Sequence, residues 1–186
     1  LLVEIEDQVL LAQFGTEATR HYAFNQLVLK YQQRIYYYIR KMVIDHDDAD
    51  DITQDVFIKV WHNLPSFRQD ANFYTWLYRI ATNECLNFLG KKRRRFMLPI
   101  HDVESELLEK LHASDTIITG DDITLRLQEA LLKLPEKQRL VFNMKYFEDL
   151  TYEEISAILG TSVGGLKASY HHATKKIEAF LGSQQI

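Results

Sequence analysis

One cysteine, three prolines and seven glycines are all that this sequence holds of those residues, and each scarcity removes a class of protein. A lone Cys85 cannot close an internal disulfide or build a multi-thiolate metal site. Set inside an apolar helical pattern, it reads as a buried thiol in a reducing cytosol. No apolar run reaches the ~18 to 20 residues that cross a bilayer as a helix. The first residues, Leu1 to Gln13, carry acid where a secretory signal carries base. There is no glycine-rich phosphate loop, no nucleophile beside a base and no metal-ligand spacing, so nothing suggests an enzyme, a cofactor, a metal site or a small-molecule substrate.

What is present favours helices. The 186 residues are 46% hydrophobic and 12% aromatic, enough for one core or two modest ones. Long stretches rich in Leu, Lys, Glu, Gln and Ala show no strand-like alternation, and the expected fold class is all-α.

The net charge of −4 is unevenly spread. Residues 24–98 hold twelve cations against eight acids, and residues 123–181 hold eight against seven. Residues 99–122 hold one cation against seven acids, so two neutral-to-basic bodies are joined by an acidic connector.

In the first body, Phe24, Leu27, Val28, Tyr31, Ile35, Tyr38, Ile39 and Met42 recur at spacings of three and four. They predict one long helix from about Thr16 to Val43, after a short one over Val3 to Phe14. Acidic Asp45 to Asp48 suit the start of a second helix, which runs to His62 and is closed by Pro65. A third is expected from Asn72 to about Lys92, burying Phe73, Trp76, Leu77, Ile80, Ala81, Leu86 and Leu89. It ends in five cations, Lys91 to Arg95, more than capping needs. The segment from Pro99 to Asp122 reads as a linker with a helical turn or two at Val103, Leu107, Leu108 and Leu111. Four helices are expected beyond it: 122–133, 135–146 with Pro135 at the first helical position, 152–159 and 162–181.

The most specific local pattern is Thr151 to Tyr170. Thr151 and Glu154 have capping-box spacing, Ile155, Ile158 and Leu159 form an inner face, and Gly160 permits a positive-φ turn. Ser162 caps a second helix, whose Val163, Leu166 and Tyr170 return to the same core. Two short helices crossing at a glycine turn can lay the second in a DNA major groove. Its outer face carries Gly165, Lys167, Ala168, Ser169, His171, His172, Lys175 and Lys176.

These residues resemble a known family. Thr151 to Ile177 is similar to the helix-turn-helix of sigma region four, Asp48 to Trp61 (DADDITQDVFIKVW) resembles sigma region 2.2, and Phe67 to Asn83 (FRQDANFYTWLYRIATN) resembles regions 2.3 and 2.4. The lack of a sizeable domain between Arg95 and Ile123 matches the extracytoplasmic-function (ECF) sigma factors. The resemblance implies a region-two domain over 1–98, an acidic linker over 99–122 and a region-four domain over 123–186. It further implies binding to core RNA polymerase, through its beta-prime clamp and beta flap, and to promoter DNA. An anti-sigma protein, often membrane-bound, is the expected regulator of a cytoplasmic factor.

By resemblance, Asp51, Gln54, Asp55 and Ile58, on one helix face, would dock on the polymerase clamp. The loop of Phe67, Arg68, Gln69, Asp70, Ala71 and Asn72 would accept a flipped minus-ten base, with Asn83 nearby. Arg79, Asn83, Asn87, Lys91, Lys92, Arg93 and Arg94 would serve phosphates and base edges. Gly165, Lys167, Ala168, His171, His172 and Lys175 would read the minus-thirty-five element, Lys167 being the best single candidate. This helix departs from the family's usual Thr and Ser-Arg pattern, and fewer guanidinium groups mean fewer bidentate guanine contacts. The acidic linker is expected to couple the two bodies flexibly, to lower non-specific DNA binding and to thread into the polymerase's basic RNA path. A stand-alone helix-turn-helix regulator would account for residues 123–181 but leave the two N-terminal motifs without a purpose.

Overall fold

The computed structural model describes residues 6–68, 72–95, 100–113 and 122–183, with the side chains of all but 95, 100–104, 122 and 123. Among these residues every regular element is helical: α1 (Asp7–Phe14), α2 (Glu17–Val43), α3 (His46–Asn63), α4 (Phe73–Arg95), α5 (Ile100–Ala113), α6 (Asp122–Leu132), α7 (Glu136–Phe142), α8 (Tyr152–Leu159) and α9 (Val163–Ser183). A 3₁₀ turn at Leu64–Ser66 contains Pro65, and a π turn spans Asn143–Phe147.

The long helix α2 buries the expected stripe, Leu27, Tyr31, Ile35, Tyr38, Ile39 and Met42, with Ala23 added; Phe24 and Val28 are partly buried. Its end is abrupt. Ile44 adopts φ 66, costly for a β-branched residue, and its side chain is fully buried. Asp45 then caps α3, its Oδ1 accepting the Asp48 N–H at 3.0 Å.

Helix α4 extends past Lys92, so the cation cluster occupies its last turns. Phe73, Leu77, Ala81 and Leu89 are buried as expected, while Trp76, Ile80 and Leu86 are only partly so. Tyr78, Thr82 and Cys85, outside the expected stripe, are fully buried. A single stripe was the wrong expectation because α4 is covered on two flanks, by α2 and α3 on one and by α8 on the other.

The connector is more ordered than a linker with a helical turn or two: α5 has 14 residues. Leu107 and Leu111 are buried with Ile44 and Leu132, and Leu108 and Leu125 pack around them. Lys110 reaches Asp45 at 2.8 Å, Lys92 reaches Glu106 at 2.8 Å, and His112 reaches Glu129 at 2.9 Å. The short apolar pattern thus has two partners to bury against, Ile44 and Leu132.

Pro135 lies one position before the first helical residue, with φ −51 and ψ 139, and its carbonyl accepts the Arg139 N–H at 3.0 Å. The predicted 135–146 helix is α7 continued by the π turn, where the Glu148 N–H bonds back to Asn143 at 3.3 Å. One apolar cluster runs from Leu10 and Phe14 through α2, α3 and α4 to Leu140, Val141, Met144, Leu150, Ile155, Ile158 and Leu166. The two halves of the chain therefore share a core, and a second cluster of Ala130, Leu131, Leu134, Phe142, Ala173 and Ile177 belongs to the C-terminal half alone.

Candidate nucleic-acid and polymerase interface

The helix-turn-helix is built as its sequence dictates. The Glu154 N–H donates to Thr151 Oγ1 at 3.2 Å, and the Thr151 N–H donates to Glu154 Oε2 at 2.8 Å, so each end of the capping box satisfies an otherwise unpaired donor. Gly160 turns the chain at φ 63. The Gly165 N–H donates to Ser162 Oγ at 3.3 Å, and a Cβ on Gly165 would lie 3.2 Å from that same oxygen. A Cβ there would meet only the flexible ends of the Ser162 and Thr161 side chains, which can give by a few tenths of an ångström, so the structure does not explain this departure from the family pattern.

Leu166, Ala173 and Ile177 anchor α9 on its inner side. Lys167, Ala168, His171, His172, Lys175 and Lys176 are exposed on the other, with Gly165 and Ser169 at its margin. Lys167 Nζ sits 5.7 Å from the Tyr152 ring centre, while Lys175 pairs with Glu178 at 2.9 Å. Among the described residues no group of His, Cys, Asp and Glu could hold a metal ion.

On α4, Arg79, Asn83 and Asn87 are exposed at successive four-residue steps, and Lys91 and Arg94 continue the exposed surface. Two of the clustered cations are already engaged. Lys92 is held by Glu106 of α5 at 2.8 Å and lies 3.9 Å from Asp48, and Arg93 pairs with Glu136 of α7 at 2.9 Å. Phe67 packs on Phe73 and Trp76, with ring centres 6.0 and 4.9 Å away, so its ring belongs to the aromatic packing at the start of α4. Arg68 and Asn72 are exposed; Asn72 Oδ1 accepts the Tyr74 N–H at 3.3 Å. Gln69, Asp70 and Ala71 lie outside the described residues.

Asp51, Gln54, Asp55 and Ile58 are brought together on the outer face of α3, opposite the buried Ile52, Val56 and Val60. Ile58 is 55% exposed on this face.

Sequence reasoning missed a polar cluster between the two halves. Glu148, buried with 4% of its side chain exposed, accepts a hydrogen bond from the Tyr78 hydroxyl, pairs with Arg34 Nε at 3.2 Å and lies 3.6 Å from Lys41 Nζ. Arg34 Nη2 also donates to the Glu148 carbonyl at 3.0 Å. Burial, then the neighbouring carboxylate, pushes the Tyr78 hydroxyl far above the ordinary tyrosine range. Burial likewise raises Tyr74, to about 12. Lys41 is lowered by burial, which outweighs the pull of Glu148. Nothing in the spacing of Glu148 marked it, since an acid beside Asp149 before a capping box reads as solvated turn.

A helix-turn-helix with an exposed basic face, joined to a helical unit with its own line of cations and amides, defines a two-part DNA-binding protein. Known proteins narrow the class. Residues 27–95 match Sigma-70 region 2 and residues 124–177 match Sigma-70, region 4. The chain is 33% identical to the RNA polymerase sigma-H factor of Pseudomonas aeruginosa, covering 97% of this chain and 96% of that one. It is 30% identical to the ECF RNA polymerase sigma-E factor of Escherichia coli K12, over 94% of each. Among solved structures, CnrH in complex with the cytosolic domain of CnrY superposes with a TM-score of 0.69 at 27% identity, covering 96% of this chain and 99% of that one. The sigma factor RpoE in complex with the anti-sigma factor NepR from Bartonella quintana shares the fold, with a TM-score of 0.67 at 22% identity, over 87% and 98% of the two chains.

The chain belongs to the sigma-70 family and is an RNA polymerase sigma factor of the ECF type. Sigma factors are transcription initiation factors that recruit core polymerase to promoters. None of the described helices is long and apolar enough to cross a membrane.

Proposed function

We propose that this sigma factor divides its work among three surfaces. The outer face of α3, Asp51, Gln54, Asp55 and Ile58, docks on the polymerase clamp, where acidic charge steers encounter with a basic partner and Ile58 supplies apolar burial. The loop from Phe67 to Asn72, with Arg79, Asn83, Asn87 and the cations of 91–94, holds the melted minus-ten strand. A base leaving the duplex costs a few kcal/mol, which stacking and edge contacts offset. The outer face of α9, Gly165, Lys167, Ala168, His171, His172 and Lys175, enters the duplex at minus-thirty-five, while the same domain meets the beta flap. The functional division is a region-two domain over 1–98, a connector over 99–122 and a region-four domain over 123–186. The factor has no catalytic role of its own and acts in the cytoplasm alongside polymerase. Two structural neighbours are recorded with CnrY and NepR, which supports regulation by an anti-sigma protein here too.

The observation that carries this assignment is the simultaneous exposure of Lys167 and His171 on α9 and of Arg79, Asn83 and Asn87 on α4, each backed by a buried inner face. Run-off transcription with core polymerase tests it. The purified chain starts transcription from its promoter without another sigma, and failure to form a complex with core at low salt would sink the reading.

A further inference from the structure

One face of α2 looks outward and carries no charge. Counted at about 100° per residue from Leu29, the side chains of Tyr22, Asn25, Gln26, Gln32, Gln33 and Tyr36 all project within about 60° of it. They lie opposite the buried Ala23, Leu27, Tyr31 and Tyr38. Leu29 is 64% exposed and Tyr22 52%, Asn25, Gln32 and Gln33 are exposed with them, and Gln26 and Tyr36 are partly buried. The cations nearest in sequence, Lys30 and Arg34, are turned aside to Asp7 at 3.0 Å and to Glu148 at 3.2 Å.

Single exposed apolar residues need no explanation; the order of these does. It reads alike in both directions from Leu29: Gln26 and Gln32 stand three residues either side, Asn25 and Gln33 four, Tyr22 and Tyr36 seven. A two-fold axis through Leu29, perpendicular to α2, lays a second copy of the helix antiparallel on the first. Each residue then faces the one equally far from Leu29 on the other side. Leucine meets leucine, glutamine meets glutamine, asparagine meets glutamine and tyrosine meets tyrosine. Carboxamides and phenols both donate and accept, so such like pairs can be satisfied, and steps of three, four and seven are those at which paired helices interlock.

Charge favours the same occupant. A two-fold interface uses one patch on both subunits, so charges near the axis confront their own copies. The other outer faces would repel: α3 repeats Asp51 and Asp55, α4 repeats Arg79, Lys91 and Arg94, and α9 repeats Lys167, Lys175 and Lys176. The α2 face has nothing to repel.

We infer that the free protein self-associates through this face of α2, as an antiparallel two-fold dimer centred on Leu29. From Tyr22 to Tyr36 the strip is about 21 Å long at ~1.5 Å per residue and one helix wide. That is small for a specific interface, so the dimer forms at high concentration and dissociates on dilution. The surface is separate from the three assigned to polymerase and promoter, and the inference does not depend on those assignments.

Sedimentation equilibrium of the full chain, from low micromolar to near millimolar, tests it. Wild type should approach twice the monomer mass at the top of the series. L29K, which sets two ammonium groups on the axis, should keep its helical circular dichroism and stay at the monomer mass, its dissociation constant raised about tenfold or more. Cysteine variants read the register, native Cys85 being fully buried. Under mild oxidation L29C should form a covalent dimer, whereas V9C, at a position 46% exposed on α1, should not. N25C and Q33C should cross-link when mixed, and neither alone. A wild type that is monomeric throughout, or an L29K that pairs as wild type does, overturns the inference. Self-cross-linking of N25C alone would overturn the two-fold register. If wild type never dimerises and L29K loses run-off transcription, the strip serves polymerase and not a second copy.

Discussion

Arg93 Nη1 stands 2.9 Å from Glu136 Oε2, so a cation at the end of the helix assigned to the minus-ten element is held by the first turn of a helix in the other half of the molecule. The pair is about one-third exposed at each end, which limits its worth to within ~1 kcal/mol. Its consequence lies in charge availability. With Glu136 in place, Arg93 arrives at DNA already partnered.

Replacing Glu136 with alanine should therefore leave stability within ~1 kcal/mol of wild type and raise the affinity of the free protein for DNA. Because each phosphate neutralised adds about 0.9 to the slope of log affinity against log salt, the E136A slope should be steeper by about one. Fluorescence anisotropy on a promoter fragment across a salt series measures both. An unchanged slope would mean that Arg93 does not meet phosphate.

Lys167 is exposed on α9, whereas Lys175 on the same helix is paired with Glu178. K167A should weaken binding to minus-thirty-five duplex by ~1–3 kcal/mol and relax preference at one base if it reads an edge. If it touches phosphate alone, affinity falls equally on all sequences and the salt slope drops by about one. K175A, whose cation is shared with Glu178, should do less in either assay.

The fold was legible wherever a local rule acts alone. The capping box at Thr151, the positive-φ turn at Gly160 and the α2 stripe all follow from residues within one or two turns of each other. The exposed faces of α3 and α9 were legible for the same reason, since a helix with one apolar stripe must show its other side. What was not legible is what the stripes meet. Tyr78, Thr82 and Cys85 fall outside the α4 stripe and are fully buried, Tyr78 and Thr82 against Tyr38 of α2, with the Tyr78 hydroxyl on Glu148. Leu107 and Leu111 promised a turn or two until Ile44 and Leu132 supplied a seat. Glu148 was invisible because a carboxylate's burial depends on cations more than a hundred residues away, Arg34 and Lys41.

Asp51 and Asp55 are exposed on α3 and have no structural role in its packed face. The double variant D51A/D55A should keep its helical circular dichroism and a melting temperature near that of wild type, surface changes of this kind costing within ~0.5 kcal/mol each. Affinity for core polymerase should fall, mostly through slower association at low salt. Equal losses in folding and in polymerase binding would reassign these acids to helix stability.

Lys110 ties α5 to the start of α3, 2.8 Å from Asp45 and 3.6 Å from Asp48. Burial works against both charges of the main pair, and their hydrogen bond overrides it. Asp45 lies below its ordinary 3.8, helped by the Asp48 N–H and Lys110, while Lys110 lies above its ordinary 10.5, through Asp45 and then Asp48 and Glu106. A depressed carboxyl stabilises the fold fully above its unfolded value and loses that contribution as pH falls through the folded one. A raised ammonium does so fully below its unfolded value and loses it as pH rises past the folded one. The stabilisation due to the pair is thus a plateau between about pH 4 and 10 that decays on both sides. With the pair about one-third exposed, K110A should cost about 0.5–1 kcal/mol on the plateau, and Asp45 keeps its capping bond to Asp48. Thermal melts of wild type and K110A from pH 3 to 11 should converge toward both extremes. A gap that stays constant across that range would show that Lys110 acts through packing of its aliphatic stem and not through its charge.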